Sequence, residues 1–360
     1  ITWGIATHVS PKEIAQALEA HPDACAVCIV SPTYYGTTSD VEAIARLCRP
    51  KNIPLIVDEA HGAHFVAHPH LPQTALAAGA NIVIQSANKT LSSLTQSALL
   101  HYQKTADQGN SNSFGNSLEN SLSDTLRLLQ SSSPSYLLMI SLDVARSHLQ
   151  SHGYQDWKRT INMAKNIGNR LNKIPSIHTL NHPNQDPTRL MINVTQIGWT
   201  GYDLDEYLDQ QGIAVEIGGF GAIGLVITPQ TQAKSLARLT TIIKSLEPQE
   251  DQQSINLNGV GFPFQAPFQA PFQVPLKTDN SLTPRQAWFS PRKTVAINES
   301  IGGICAEWIC PYPPGIPVLL PGEKITTNAL EFLQNIGAIG GELSGLLDPT
   351  FQTIQVIIER

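Results

Sequence analysis

Two short apolar runs that end in polar residues constrain this chain more than any other feature. Residues 53–57 read Ile-Pro-Leu-Ile-Val and are followed by Asp58. Residues 81–85 read Asn-Ile-Val-Ile-Gln and are followed by Ser86 and, three residues later, by Lys89. Short runs of this kind, rich in β-branched residues, are typical of buried strands. Because ligands of open α/β sheets bind where the carboxyl ends of such strands gather, we expect both polar ends to belong to one site.

Helical patterns alternate with apolar runs along the first part of the chain. Ser10 with Glu13, and Ser39 with Glu42, have the spacing of capping boxes at helix starts. The alternation predicts an α/β fold with a mostly parallel sheet and right-handed crossovers. The predicted strands are 24–30, 53–58, 81–86 and 97–102, and the predicted helices are 8–21, 41–47 and 74–78.

The rest of the chain predicts further units. Residues 109–120, rich in Asn, Ser and Gly, predict a flexible loop, and helices are predicted at 136–149 and 156–171. A smaller α+β domain is predicted from strands at 190–194, 213–217 and 222–227 and from helices at 203–210 and 230–246. We therefore expect four segments: a major domain at 1–150, the small α+β domain at 151–247, a linker at 248–280 and a C-terminal domain at 281–360. The linker holds a Pro-Phe-Gln repeat, in which proline at every fourth residue favours an extended chain.

The composition excludes several classes of protein. With 360 residues, 41% hydrophobic residues and a net charge of −6, the chain can build a large core and lacks the basic face that nucleic acids or anionic membranes require. No apolar run approaches the roughly 20 residues of a membrane helix, and no signal peptide is visible. The five cysteines have no framework spacing, so we expect Cys25 and Cys28 to be a buried structural pair in a cytoplasmic protein.

The polar strand ends suit the chemistry of one cofactor. Pyridoxal 5'-phosphate needs a lysine amine for a Schiff base, a carboxylate that keeps its ring nitrogen protonated, and donors for its phosphate. Lys89 can supply the amine, and Asp58 can supply the carboxylate, whose charge favours the protonated ring. Ser86 can donate to the phosphate, and Ala60 is small enough for a flat ring to lie against the chain.

Several motifs along the chain carry a family resemblance. They are Val-Asp-Glu-Ala-His-Gly-Ala-His-Phe at 57–65, Gln-Ser-Ala-Asn-Lys-Thr-Leu at 85–91, Leu-Thr-Gln at 94–96, Ser-Pro-Ser-Tyr at 133–136, Pro-Tyr-Pro-Pro-Gly-Ile-Pro at 311–317 and Pro-Gly-Glu at 321–323. Together they resemble the bacterial ornithine/lysine/arginine decarboxylases, which have the aspartate-aminotransferase-type fold. The resemblance spans nearly the whole chain. It implies a pyridoxal-phosphate-dependent decarboxylation of arginine, lysine or ornithine to a polyamine precursor, in a homodimer or higher oligomer.

The resemblance also implies roles for individual residues. Lys89 forms the Schiff base, Asp58 binds the pyridine nitrogen, and His61 lines the ring as a third catalytic residue. Glu216 lies near the distal amine of the substrate, where a basic side chain needs an anionic partner. Ser86 binds the phosphate, and Ser132 reaches the phosphate of the partner subunit. The implied cofactor-binding residues are Lys89, Asp58, Ala60, His61, Ser86, Asn88 and Ser132.

Three differences from the family pattern leave other functions open. Asn88 stands where the family has His, and asparagine cannot exchange a proton near neutral pH. Ser132 stands where the family has Thr, and the family's N-terminal Gly-Ser-Thr phosphate loop is not found in this sequence, whose first residue is Ile1. A fragment, a non-catalytic remnant of the same fold, and another pyridoxal-phosphate reaction such as transamination or elimination are therefore alternatives.

The sequence argues against two other interpretations of the segment after Val57, a nucleotide-hydrolysis site and a metal site. Asp-Glu-Ala-His at 58–61 is the nucleotide-hydrolysis signature of some helicases, but those need an upstream phosphate-binding Gly-x-x-x-x-Gly-Lys-Ser/Thr loop that this sequence lacks. The nearby histidines do not have the spacing of a His-Glu-x-x-His helix, and the prolines at 69 and 72 break any helix there. We therefore expect no metal site at His61, His64, His68 and His70. The last three of these histidines are expected on a loop near the cofactor face.

Overall fold

The computed structural model describes residues 3, 5, 7–103, 114–246, 282–312, 315–338 and 340–358. The predicted linker at 248–280, with its Pro-Phe-Gln repeat, lies outside the described residues. Within the described ranges, no helix has both the length and the apolar character needed to cross a lipid bilayer.

The first part of the chain forms a four-stranded sheet with helices. Its elements are α1 (Pro11–Ala20), β1 (Val27–Val30), α2 (Val41–Cys48), β2 (Leu55–Asp58), β3 (Ile82–Ser86), α3 (Ala87–Thr90) and β4 (Ala98–Tyr102). The strand order is β1-β2-β3-β4, with the first three strands parallel and β4 antiparallel to β3. The predicted α/β fold with a mostly parallel sheet is confirmed.

The helix starts follow the capping rules in one case and differ in another. Ser10 caps α1 by a capping box with Glu13, as predicted. In α2 the cap is Asp40, one residue later than predicted, and its carboxylate accepts a hydrogen bond from the backbone N–H of Ala43 at 2.9 Å. Ser39 instead donates its backbone N–H to Ser31 Oγ at 3.1 Å. The predicted helix at 74–78 is wrong, because residues 75–79 form a turn.

The core of this part lies between the sheet and its helices. Ile44 of α2 packs with Leu55 and Val57 of β2, and all three are completely buried. Strand β1 is an edge strand on which burial alternates, with Val27 and Ile29 inward. Cys28 therefore points outward. The prediction that Cys25 and Cys28 form a buried pair is wrong, because both are exposed.

Two helices follow the first sheet, α4 (Phe114–Leu129) and α5 (Tyr136–Leu171). The predicted loop at 109–120 is wrong from residue 114 onward, and the two helices predicted at 136–149 and 156–171 are one continuous helix. Gly153, which weakens the helical pattern in sequence, is buried in α5 and allows close contact with Ala67 and Leu149. The predicted domain boundary at residue 150 falls within α5, and the domain boundaries stay predictions.

The next part of the chain forms an antiparallel sheet with two helices. Its elements are β5 (His178–Thr179), β6 (Arg189–Asn193), α6 (Gly201–Gln210), β7 (Ile217–Gly218), β8 (Ala222–Val226) and α7 (Ala233–Lys244). The strand order is β5-β6-β8-β7. The predicted strand at 213–217 is reduced to the short β7. Leu171, Ile192, Leu204 and Ile223 are completely buried in the core that this sheet shares with α5.

The C-terminal part has a core of its own. Its elements are α8 (Pro284–Phe289), β9 (Arg292–Ala296), β10 (Cys310–Tyr312), α9 (Thr327–Ala338), β11 (Glu342–Ser344) and β12 (Thr353–Ile357). Strands β9 and β12 pair antiparallel, and so do β10 and β11. Cys305, Ile309 and Leu333 are completely buried in this core. The three parts therefore each bury a separate set of apolar side chains.

Candidate active site

Strands β2 and β3 bring two predicted site residues to one edge of the first sheet. They are parallel neighbours, and Asp58 pairs with Ile84 across the ladder. Residues paired in this way lie on the same face, as do alternate residues of one strand. Asp58 and Ser86 therefore share a face at the carboxyl ends of adjacent strands. This is the edge at which ligands of such sheets bind.

Lys89 contacts the loop that follows β2. It lies in the short helix α3, directly after β3, and its Nζ is 3.0 Å from Nε2 of His61. His61 is buried, whereas Lys89 is exposed. In the same loop, the backbone N–H of Ala60 donates to Asp58 Oδ1 at 2.9 Å. Lys89 and His61 are thus in contact, and Asp58 lies at the start of the loop that carries His61.

His61 is also bound from the other side of its ring. Arg189, the first residue of β6, is 4% exposed, and its Nη2 contacts Nδ1 of His61. Burial, followed by the positive charges of Arg189 and Lys89, lowers the pKa of His61 to about 3. The imidazole is therefore uncharged at neutral pH. Burial also lowers the pKa of Arg189, although the neighbouring carboxylates of Asp186 and Glu216 oppose that effect.

Glu216 extends the cluster toward solvent. Its carboxylate lies 3.8 Å from Arg189 Nη1, and the hydroxyl of Tyr34 donates to it at 3.2 Å. The ring of Tyr34 also meets His61 edge-on, with 5.0 Å between ring centroids. Burial and the charge of Glu216 raise the pKa of the Tyr34 hydroxyl. Glu216, Arg189, His61 and Lys89 thus form one chain of contacts, with Tyr34 beside it.

The remaining predicted residues differ in their positions. Ser86 Oγ donates to Asn88 Oδ1 at 2.7 Å, so these two side chains form a polar pair beside Lys89. Ser132 is exposed in the turn between α4 and α5. Among the hydrogen bonds of the described residues, none joins Ser132 to the cluster around Lys89. Its implied contact with a partner subunit stays a prediction.

Glu59 and His64 have structural partners. Glu59 is 1% exposed and accepts hydrogen bonds from Gln85 Nε2 at 2.6 Å and from the Ala75 backbone at 2.7 Å. His64, expected on a loop near the cofactor face, is buried, with its Nε2 3.1 Å from Asp186 Oδ2. No group of three His, Cys, Asp or Glu side chains within the described ranges has the arrangement of a metal site.

His64 also stacks on Trp157 of α5, with 4.2 Å between ring centroids. Although burial alone would raise the pKa of Asp186, the charge of His64 and hydrogen bonds from Thr188 hold it below its usual value. The loop after β2 is therefore anchored to α5 and to the segment that leads into β6. This anchoring brings Arg189 to His61.

Arg189 and Tyr34 are the site residues that the sequence did not reveal. Tyr34 lies in the loop at the carboxyl end of β1, which is the same edge of the sheet as Asp58. Arg189 opens a strand whose five residues are all buried. A charged residue in an otherwise apolar run is a signal that could have drawn attention to it, because buried charges require partners.

The side chains of this cluster fit pyridoxal phosphate. The exposed amine of Lys89 is accessible to an aldehyde, and the partly exposed carboxylate of Asp58 stands at the adjacent strand end. The side chain of Ala60, two residues after Asp58, is only a methyl group and leaves room for a flat ring. Ser86 supplies a hydroxyl. The site thus contains an amine, a carboxylate and a hydroxyl, which are the groups that this cofactor requires.

Comparison with known proteins gives a consistent result. Residues 1–186 match the family model described as Orn/Lys/Arg decarboxylase, major domain, and residues 272–352 match Orn/Lys/Arg decarboxylase, C-terminal domain. The arginine decarboxylase of Bacillus subtilis (strain 168) is 32% identical over 367 residues, which cover 99% of this chain and 71% of that protein. The arginine decarboxylase of Halalkalibacterium halodurans is 32% identical over 367 residues, which cover 99% of this chain and 70% of that protein.

A solved structure shows the same fold. The crystal structure of the lysine decarboxylase of Francisella novicida superposes with a TM-score of 0.73 at 19% identity. The match covers 99% of this chain and 62% of that one, so the chain spans about three fifths of that relative's length. At 19% identity this likeness shows the fold alone, and that fold agrees with the α/β architecture expected from the sequence.

Proposed function

Because the chain belongs to the Orn/Lys/Arg decarboxylase family, we propose that it acts as a pyridoxal-phosphate-dependent decarboxylase of arginine, lysine or ornithine. The family and the relatives are amino-acid decarboxylases, which are lyases. One observation carries the proposal for this chain. Lys89 and Asp58 stand at the carboxyl ends of neighbouring parallel strands, and His61 connects their loops by its contact with the lysine amine.

Each residue of the cluster has a definite part in the proposal. Lys89 holds the aldehyde carbon of the cofactor, and Asp58 holds a proton at its ring nitrogen by opposite charge. His61 lines the ring, and Ala60 leaves room for it. When bound, the cofactor supplies the electron sink for the bond that breaks at the α-carbon.

The outer residues are proposed to bind the charged groups of cofactor and substrate. Ser86, whose hydroxyl donates to Asn88 in this structure, is proposed to turn that donor to the phosphate when the cofactor binds. The carboxylate of Glu216 is partly exposed, with 38% of its side chain accessible, and can accept the distal cation of a basic amino acid. Ser132, in the exposed turn before α5, is proposed to reach the phosphate of a partner subunit in a homodimer.

The test is release of carbon dioxide from carboxyl-labelled arginine, lysine and ornithine by the full-length protein. We expect release from at least one of them, together with the visible absorbance of a lysine-bound cofactor. Lys89→Ala should abolish both, whereas Lys51→Ala, at an exposed lysine outside the cluster, should leave both unchanged.

Two results would oppose the proposal. A full-length protein that folds but binds no cofactor would indicate a non-catalytic member of the family. Cofactor binding with turnover but without labelled carbon dioxide would indicate another reaction, such as transamination.

A further inference from the structure

The ring of His61 has a contact at each of its two nitrogens. Nδ1 contacts the guanidinium of Arg189, and Nε2 lies 3.0 Å from Lys89 Nζ. A guanidinium has only donors, so Nδ1 must accept the bond from Arg189. A ring whose Nδ1 accepts is uncharged and carries one proton, and burial and the charge of Arg189, the two largest causes of the lowered pKa of His61, act in the same direction. The single proton of the ring must therefore be on Nε2, directed at Lys89.

This proton position has a consequence for the lysine. A charged ammonium has three donors and no acceptor, so it cannot receive a hydrogen bond from the Nε2–H of His61. An uncharged amine has a lone pair and can receive it. We propose that Arg189 is a positioning residue, which fixes the tautomer of His61 so that its Nε2–H is directed at the Nζ of Lys89 and can donate to that amine when it carries a lone pair. The inference deepens the proposed function and rests on it for the role of the lysine.

The position of Arg189 is held by several contacts. Its Nη1 lies 3.8 Å from Glu216, and the buried carboxylate of Asp186 stabilises its charge. Gly36 makes the close approach possible, because its φ is +88° and any Cβ there would overlap the side chain of Arg189. The carbonyl of Gly36 also accepts a hydrogen bond from the Asp186 backbone at 2.8 Å. The guanidinium therefore has little freedom to turn away from His61.

Without Arg189, nothing among these contacts would select one tautomer. The proton of His61 could then move to Nδ1, and the free lone pair of Nε2 would accept a bond from the charged ammonium of Lys89. The variant and the natural protein thus differ in which of the two side chains is the donor. The proton positions on the His61 ring are measurable in solution.

The first experiment is ¹⁵N NMR of the histidine side chains in the full-length protein, without added cofactor. The chain has 11 histidines, and the signals of His61 are assigned by their loss in His61→Gln. We expect a protonated Nε2 and an unprotonated Nδ1 at neutral pH. A protonated Nδ1 in the unmodified protein would overturn the inference. Since this measurement needs neither cofactor nor turnover, it gives an answer even if the decarboxylase proposal fails.

The second experiment uses substitutions of Arg189. In Arg189→Met we expect the proton to move to Nδ1, whereas Arg189→Lys keeps a donor and should retain the Nε2–H form. Labelling of Lys89 by trinitrobenzenesulfonate, which reacts with uncharged amines, is followed by mass spectrometry. Loss of one hydrogen bond should slow the labelling of Lys89 about fivefold in Arg189→Met. Arg46→Met, at an exposed arginine in α2, is the matched control and should not change it.

Equal labelling of Lys89 in Arg189→Met, with the proton still on Nε2, would contradict the inference. If Arg189→Met does not fold, as judged by circular dichroism, the decision falls to the spectrum of the unmodified protein and to Arg189→Lys. A loss of the Nε2–H form in a folded Arg189→Lys variant, which keeps a donor at this position, would contradict the inference.

Discussion

Replacement of Glu59 by glutamine tests the view that this residue is structural. Glu59 follows Asp58, but it is 1% exposed and bonded to Gln85 and to the backbone of Ala75. Burial raises its pKa from 4.5 to about 7, although both hydrogen bonds act in the opposite direction. The carboxylate form is therefore costly in the folded protein, and glutamine would remove that cost.

The sign of the pH effect follows from the raised pKa. In the unfolded chain Glu59 loses its proton near pH 4.5, whereas in the folded protein it does so near pH 7. Its contribution to stability is thus fully present below pH 4.5 and is lost as the pH rises through 7. At ~1.4 kcal/mol per pH unit, the difference between the two values corresponds to about 3 kcal/mol.

Glutamine at position 59 can keep the local hydrogen bonds. Its amide oxygen can accept from Ala75, and its amide nitrogen can donate to Gln85 if that side chain turns its oxygen toward it. Gln85 would then present its nitrogen to His101, whose Nε2 now lies 3.0 Å from the Gln85 oxygen and would have to accept. In this arrangement each of the two hydrogen bonds that Glu59 accepts has a counterpart in the variant. The main effect of the substitution is therefore the loss of a titrating group.

The assay is urea unfolding at pH 5 and at pH 8 of the unmodified protein, Glu59→Gln and Glu42→Gln. Glu42 is exposed in α2 and serves as the control. From pH 5 to pH 8, the free energy of unfolding of Glu59→Gln should gain up to about 3 kcal/mol relative to the unmodified protein. The reasoning is refuted if the two proteins keep a constant difference over this range, or if Glu42→Gln gives the same gain.

Three further predictions concern stability alone. Asp186→Asn removes the buried charge that faces His64 and should lower the free energy of unfolding in urea by about 3 kcal/mol. A change below about 0.5 kcal/mol, which is typical of a surface substitution, would contradict this prediction. Gly345→Ala should lower the melting temperature of the C-terminal part, because the added Cβ overlaps the carbonyl of Trp308 and the φ of +88° disfavours alanine; an unchanged calorimetric melting curve would show that the backbone adapts. Ser10→Ala removes the cap of α1 and should cost about 1 kcal/mol in urea, and no loss would mean that water replaces the cap.

The elements of the first sheet could be predicted because their signals are local. The apolar runs that form β2 and β3 end in the sequence where the strands end in the structure. The helix α4 could not be predicted, because residues 114–120 have the Asn, Ser and Gly composition that is typical of loops. The continuity of α5 between the two predicted helices could not be predicted either, because Gly153 lowers the local helix propensity and its buried contact with Ala67 is not visible in the sequence.

The residues of the candidate site also differ in whether local sequence signals or long-range contacts place them. Lys89 and Asp58 are placed by local strand ends and by one strand pairing, which the sequence pattern determines. Arg189 is 128 residues from His61, and it reaches the ring only because the small antiparallel sheet packs beside the first one. A buried guanidinium in an apolar strand indicates that acidic or acceptor groups surround it, but not which ones. The pattern therefore predicts where the chemistry occurs, whereas the proton position on His61 follows only from the three-dimensional contacts of Arg189.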